Sequence, residues 1–221
     1  DVRLDIRYCG VCHSDLHQAR DDWHNSVYPC VPGHEIIGTV TEVGPDVTRF
    51  QIGDLAAIGC MVDSCMACPE CVRGQEQYCV KRSTPTYNGK DRMDGSPTYG
   101  GYSDHIVARE QFVLKLPEGL DPERAAPLLC AGITTWSPLR HWKVGPGSRV
   151  AVAGLGGLGH MGVKLAVGLG AEVTVVTTSP AKSADALALG AHKVLIASDK
   201  EAMKAARGSF DLVLDTIPVA H

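Results

Sequence analysis

Hydrophobic and polar positions alternate with a period of two through residues 1–8, the mark of a half-buried strand. Short alternating or apolar runs recur at residues 36–43, 55–58, 102–107 and 112–116, separated by stretches rich in glycine and proline. Residues 1 to about 116 therefore read as an all-β region. Two polar insertions interrupt it, one cysteine-rich at residues 59–79 and one rich in glycine, proline and aspartate at 82–97, and both read as loops.

After Pro117 the rhythm changes. Asp121-Pro122-Glu123 places proline and acids where a first helical turn wants them, and helical apolar spacing continues toward Trp142. From Ser148 onward strands at 149–153, 172–177, 192–196 and 210–214 alternate with helices at 158–169, 181–189 and 200–206. A βαβαβαβ series predicts a doubly wound parallel sheet. The expected architecture is α/β with an all-β part, divided into domains 1–131 and 132–221, with no internal repeat and no low-complexity tract.

Composition narrows the function classes. With 221 residues, 44% hydrophobic and 21% charged, the chain is expected to be a soluble globular protein with room for two modest domains. A net charge of −4 argues against a broad basic face, so a small molecule is expected as partner rather than nucleic acid or an anionic membrane. The most apolar run, residues 150–163, contains five glycines and ends at Lys164, so no membrane span is expected. The chain opens without methionine, inside a strand pattern and without the apolar core of a signal peptide, so upstream residues are expected to be missing. Nine cysteines with two-residue spacings do not form a secreted disulfide pattern; they predict metal binding in a reducing, cytoplasmic setting.

Cys65-x2-Cys68-x2-Cys71-x7-Cys79 is the strongest local signal. Four thiolates from one loop suit tetrahedral zinc, and a site with four protein ligands is closed, so it would brace the loop and take no part in turnover. An iron–sulfur cluster is the alternative, although ferredoxin spacing places the fourth cysteine after three residues rather than seven.

Gly154-Leu155-Gly156-Gly157-Leu158-Gly159 follows one predicted strand and opens a helix. That placement predicts a dinucleotide site: one glycine for the tight turn, one for backbone approach to the pyrophosphate and one for helix packing on the strand. The pyrophosphate would rest on amides of the helix N-terminus. After the second strand an NAD site normally carries a carboxylate for the ribose hydroxyl, and none stands here. Thr178, Ser179 and Lys182 suit a 2′-phosphate instead, which predicts NADP(H); the alternative is that the same residues merely cap the next helix.

YCGVCHSDLH at residues 8–17, Gly33-His34-Glu35 and the lone Cys130 form a third constellation. Spacing alone neither joins residues so far apart nor chooses between Cys9 and Cys12. Taken singly, Cys130 reads as a buried structural cysteine and His34 as a satisfied polar histidine.

CGVCHSDLH, PGHEIIG, the cysteine array, PLLCAGITT and GLGGLG, in that order, resemble the zinc-dependent medium-chain alcohol dehydrogenases, most closely the cinnamyl-alcohol-dehydrogenase branch and its bacterial NADP-dependent aldehyde reductases. The resemblance covers essentially the whole chain. It implies a GroES-like β catalytic domain followed by a Rossmann domain, with two zinc ions and NADP(H). It implies that Cys12, His34 and Cys130 hold a catalytic zinc with one position open, and that Glu35 is a transient ligand or a close support of the site. Asp15 would fix the His34 tautomer, Ser14 would bond the substrate oxygen, and His17 would end a proton relay. His13 would lie near the cofactor pyrophosphate and Thr134 near the nicotinamide. The implied reaction interconverts primary alcohols and aldehydes, mainly by reducing aldehydes, with self-association into a homo-oligomer open at full length. Cys9, Cys30 and Cys60 are left as spare thiols, and Trp23 and Trp136 as candidate pocket walls.

Members of that family run further at both ends. The later strands, the segment returning to the β domain and part of the substrate pocket are missing here, so these 221 residues alone are expected to be poorly folded or inactive. Two rivals are a polyol dehydrogenase of the same superfamily, which often has glutamate where Cys130 stands, and a non-catalytic nucleotide-binding protein that has lost the catalytic metal.

Overall fold

A computed structural model describes residues 1–217; residues 218–221 lie outside the described residues. The chain divides after Cys130 into two compact units.

The first unit is built on a five-stranded antiparallel sheet. Its strands are β1 (Val2–Cys9), β2 (Ile36–Val43), β3 (Leu55–Ile58), β6 (His105–Ala108) and β7 (Val113–Lys115), in the order β6-β1-β2-β3-β7. The period of two seen in the sequence sorts the side chains. Val2, Leu4, Ile36, Val40, Ile58, Ile106 and Val113 pack with Phe50 into one core, whereas Ile37 points the other way. Ile37 packs with Ala57, Ala125 and Ala126. Two-sided burial at the start of β2 anchors the segment that leads to Cys130 against the sheet.

The predicted loops are more structured than polarity suggested. Residues 59–79 contain β4 (Met61–Asp63) and the short helix α2 (Pro69–Val72), and β4 pairs with β5 (Thr84–Pro85) from the second insertion. Such short elements carry too few residues for a periodic signal. Helix α1 (His13–Arg20) was not expected, because the side chains it buries, Asp15 and Gln18, are polar and give no apolar stripe. Its start is fixed chemically: Cys12 is the extended N-cap residue, and its N–H donates to Asp15 Oδ2 at 2.9 Å. The strand predicted at 102–107 begins only at His105.

Asp121 caps α3 (Pro122–Ala125), its side chain accepting from the Glu123 N–H. The helical run predicted toward Trp142 breaks at Cys130, where φ −125° and ψ −73° separate a 3-10 turn from α4 (Ala131–His141).

In the second unit β8 (Arg149–Ala153), β9 (Glu172–Thr177), β10 (Lys193–Ile196) and β11 (Leu212–Asp215) form a parallel sheet in the order β10-β9-β8-β11. The crossovers carry α5 (Gly157–Gly168), α6 (Ser183–Ala188) and α7 (Lys200–Ala205). This order is the first four strands of a Rossmann sheet, 3-2-1-4. Val150, Val152, Val173 and Val175 are buried with Leu139, Val163, Ala166 and Leu214, as expected of strands covered on both faces. Among the described residues no helix is long and apolar enough to cross a membrane.

Candidate metal centres and nucleotide turn

Antiparallel pairing explains how the first site assembles. Cys9 at the end of β1 lies opposite Ile36 at the start of β2, and the Gly10 N–H continues the ladder to the Glu35 carbonyl at 2.9 Å. Residues just after β1 and just before β2 must therefore meet. Ile36 also pairs with Ile58, so Cys60, two residues past β3, leaves the sheet at the same end. The break at Cys130 completes the group: ligand atoms of Cys12, His34, Glu35 and Cys130 all lie within 4.8 Å of one another.

Cys12 and Cys130 sulfurs are 3.8 Å apart. Two thiolates at zinc–sulfur distances of about 2.3 Å in a tetrahedron would be separated by about 3.8 Å, so the spacing fits such an ion. Without an ion, the same groups hold protons between them. The Cys12 thiol is held down to about 3, first by its hydrogen bond with Cys130 and then by His34, while Cys130 is pushed up by its bonds with Cys12 and Cys60. Burial opposes charge on His34, yet its hydrogen bonds with Asp15 and Cys12 outweigh that and raise it to about 10.

Asp15 is the keystone of this group. It is 3% exposed, and Oδ1 accepts from His34 Nδ1 at 3.0 Å and from the Gly33 N–H at 3.0 Å. Oδ2 accepts from the Cys12 N–H at 2.9 Å and from the Tyr102 hydroxyl at 3.0 Å. Desolvation would raise its carboxyl, but these bonds prevail and lower it to about 2.

His34 and Cys130 border a cleft of about 390 Å³ that is also lined by Ser14, Trp23, Cys60 and Tyr87. Cys60 was read as a spare thiol; the structure places it in the cleft, where its interaction with Cys130 brings its thiol down to about 7. Cys9 is different. Its sulfur faces the Gly10 carbonyl at 3.6 Å, it packs against the sheet core, and burial raises its thiol to about 11. His17 and His13 lie on α1 with ring centroids 4.7 Å apart. His17 Nδ1 pairs with Asp22 Oδ2 at 2.8 Å. No sequence pattern pointed to Tyr102 or Tyr87; the Tyr87 ring lies 5.6 Å from that of His34.

The second cluster is local. Sulfurs of Cys65, Cys68, Cys71 and Cys79 all lie within 4.8 Å of one another, with 3.4 Å between Cys68 and Cys71 and 3.9 Å between Cys65 and Cys71. Hydrogen bonding from the Cys71 backbone leads in lowering the Cys68 thiol to about 6. The Cys68 N–H itself points at Cys65 Sγ, 3.4 Å away.

In the second unit Gly154 has φ +87°, a conformation glycine adopts without strain, and a Cβ on Gly159 would run into the Gly154 carbonyl. Cβ atoms on Gly156 or Gly157 would meet nothing within 4 Å, which leaves a bare cradle over the start of α5. Lys182 Nζ donates to the Leu155 carbonyl at 2.9 Å, which brings a cation to this turn. Thr178 is exposed, and Ser179, half-buried, heads the turn at Pro180–Lys182 without a side-chain capping bond. Thr134 and Trp136 are exposed on α4, where the Arg140 guanidinium lies 5.4 Å from the Trp136 ring centroid.

An antiparallel β unit with two sulfur-rich donor clusters, followed by a parallel sheet with a glycine turn, is the make-up of a metal- and nucleotide-binding dehydrogenase. The family model "Alcohol dehydrogenase GroES-like domain" matches residues 1–118, the model "Zinc-binding dehydrogenase" matches residues 157–221, and the chain belongs to this family. It is 54% identical over 98% of its length to "NADP-dependent alcohol dehydrogenase C 1" of Mycolicibacterium smegmatis, and 52% identical over 100% to "Aldehyde reductase YahK" of Escherichia coli. These matches take in 62% and 63% of those proteins, so the chain spans under two thirds of such relatives. The solved cinnamyl alcohol dehydrogenase of Helicobacter pylori in complex with NADP(H) aligns with a TM-score of 0.92 at 45% identity, covering 100% of this chain and 62% of that one.

Proposed function

We propose that this chain is the greater part of a zinc-dependent oxidoreductase that interconverts primary alcohols and aldehydes with NADP(H), mainly in the direction of aldehyde reduction. The observation that carries the reading is the Cys12, His34, Glu35 and Cys130 cluster opening into a cleft bordered by Ser14. Two thiolates and one neutral imidazole would hold the ion, leaving a position for substrate. When bound, zinc supplies Lewis-acid polarisation of a substrate oxygen and the nicotinamide supplies or accepts the hydride.

The chain's own residues do the rest. Asp15 fixes the His34 ring through Nδ1, which would leave Nε2 free to hold an ion. The Ser14 hydroxyl, in the cleft, passes a proton to the substrate oxygen in reduction and takes it back in oxidation, with His17 as the outer end of the relay and Asp22 steadying its ring. Glu35 offers a carboxylate oxygen within 4.8 Å of the other donor atoms and would be a further ligand to a bound ion. The four-cysteine cluster would hold a second zinc that braces its loop. Gly154, Gly156, Gly157 and Gly159 receive the pyrophosphate, and His13 and Thr134 face the cofactor. Thr178, Ser179 and Lys182 favour the 2′-phosphate. One relative named as NADP-dependent and one solved neighbour in complex with NADP(H) support the cofactor choice.

Metal analysis and turnover of the full-length protein test this. Two zinc ions per chain and faster reduction of aldehydes with NADPH than with NADH are expected. One ion per chain, or a preference for NADH, overturns it.

A further inference from the structure

We propose that Tyr102 is a positioning residue for the catalytic metal, acting through Asp15 on His34; the inference rests on the reading of Cys12, His34 and Cys130 as ligands. Its phenol oxygen donates to Asp15 Oδ2 at 3.0 Å, and Asp15 Oδ1 receives the His34 Nδ1 proton at 3.0 Å. The phenol has one proton for two acceptors, the Asp15 carboxylate and the Gly10 carbonyl at 3.2 Å; the charged and nearer acceptor is the stronger.

Backbone bonds build this contact. The Gly100 N–H donates to the Val31 carbonyl at 2.7 Å, the Gly101 N–H to Gly33 at 2.8 Å and the Tyr102 N–H to Pro32 at 3.0 Å. Residues 100–102 are thus strapped to the three residues preceding His34. The approach is close enough to need glycine, because a Cβ on Gly101 would sit 2.7 Å from Cys9 Sγ. A segment placed by three main-chain bonds brings one hydroxyl to the side of Asp15 that His34 does not use. Asp15 is then held at both oxygens, by Cys12 and Tyr102 on one and by Gly33 and His34 on the other.

Removing the phenol oxygen takes the Tyr102 bond from Oδ2 and lets the carboxylate swing. The imidazole loses part of its orientation, and the metal loses part of its hold. Outer partners of metal ligands are worth about 10–100-fold in affinity, so the low end, about tenfold, is expected for a group one step further out.

The test is metal release from the full-length protein into excess chelator, in wild type, Tyr102→Phe and Tyr99→Phe. Cobalt exchanged into the site provides a second signal, through its visible absorption. Tyr102→Phe should release one of the two ions about tenfold faster and shift the cobalt bands, with the four-cysteine ion and Tyr99→Phe unchanged. Placing 4-aminophenylalanine at position 102 restores a donor and should restore retention. Release at the wild-type rate, or equal loosening of both ions, overturns the proposal. If wild type holds no ion that depends on Cys12, the reading of the site itself fails.

Discussion

Cys65, Cys68, Cys71 and Cys79 come from one short loop, whereas Cys12 and Cys130 are separated by 118 positions and meet only because the sheet brings them together. Both groups place their donor atoms within the same 4.8 Å. The loop cluster presents four sulfurs and nothing for a substrate to replace. The assembled cluster mixes two sulfurs, an imidazole and a carboxylate, borders a cleft, and is held by a buried Asp15 with four hydrogen bonds. Closure makes the first suited to bracing a fold. Incompleteness makes the second suited to chemistry. The first depends on spacing and the second on the register between β1 and β2.

The sharpest way to break this contrast is to remove one sulfur from each group. Cys65→Ser should cost stability, since structural zinc contributes on the order of 10 kcal/mol in small metal-bound units, and should lower the thermal midpoint by more than about 10 °C. Cys12→Ser should leave that midpoint nearly unchanged and reduce aldehyde turnover by about 1,000-fold or more, with one zinc lost by metal analysis. Similar losses of stability in both variants would erase the distinction.

Asp15→Asn is the next largest change. It keeps the shape but removes the charge that orients His34, and should weaken the catalytic ion about 10–100-fold without touching the four-cysteine ion, as competitive chelation would measure.

The same residue sets an acid limit. Its folded carboxyl, at about 2, lies below the ordinary 3.8, so its contribution is fully present above pH 4 or so and is lost as pH falls toward the folded value. In the metal-free protein the stability gap between wild type and Asp15→Asn should shrink by about 2 kcal/mol between about pH 6 and about pH 2, followed by urea unfolding. A gap independent of pH would mean that Asp15 holds its neighbours by shape alone.

The smallest expected effect lies in the other unit. Lys182→Ala should lower the ratio of NADPH to NADH efficiency by about tenfold, the size of one exposed charge–phosphate contact, and leave zinc content unchanged. No change in that ratio would mean that Lys182 serves only its bond to the Leu155 carbonyl.

Much of the frame was legible because its signals are short-range. Alternation located β1 and β2, and proline with Asp121 marked α3. Glycine spacing marked the turn before α5, where Gly154 takes a positive φ and Gly159 admits no side chain. Helix α1 escaped because it buries Asp15 and Gln18 rather than an apolar stripe, and the inserts at 59–79 and 82–97 hid two short paired strands. Residues 8–17 could not decide between Cys9 and Cys12 by spacing. The pleat decides it: Cys9 ends β1 turned into the core, and Cys12 lies beyond the strand facing Cys130.

The amino-acid sequence by itself determined the two-part architecture, the four-cysteine loop and the glycine turn, because in each the interacting atoms are neighbours along the chain. Only the tertiary structure decided that Cys60 lines the cleft and that Tyr102 bonds Asp15. Those contacts join positions 87 residues apart in the case of Tyr102 and Asp15, and strand register together with main-chain strapping, rather than any local pattern, brings their atoms within 3.0 Å.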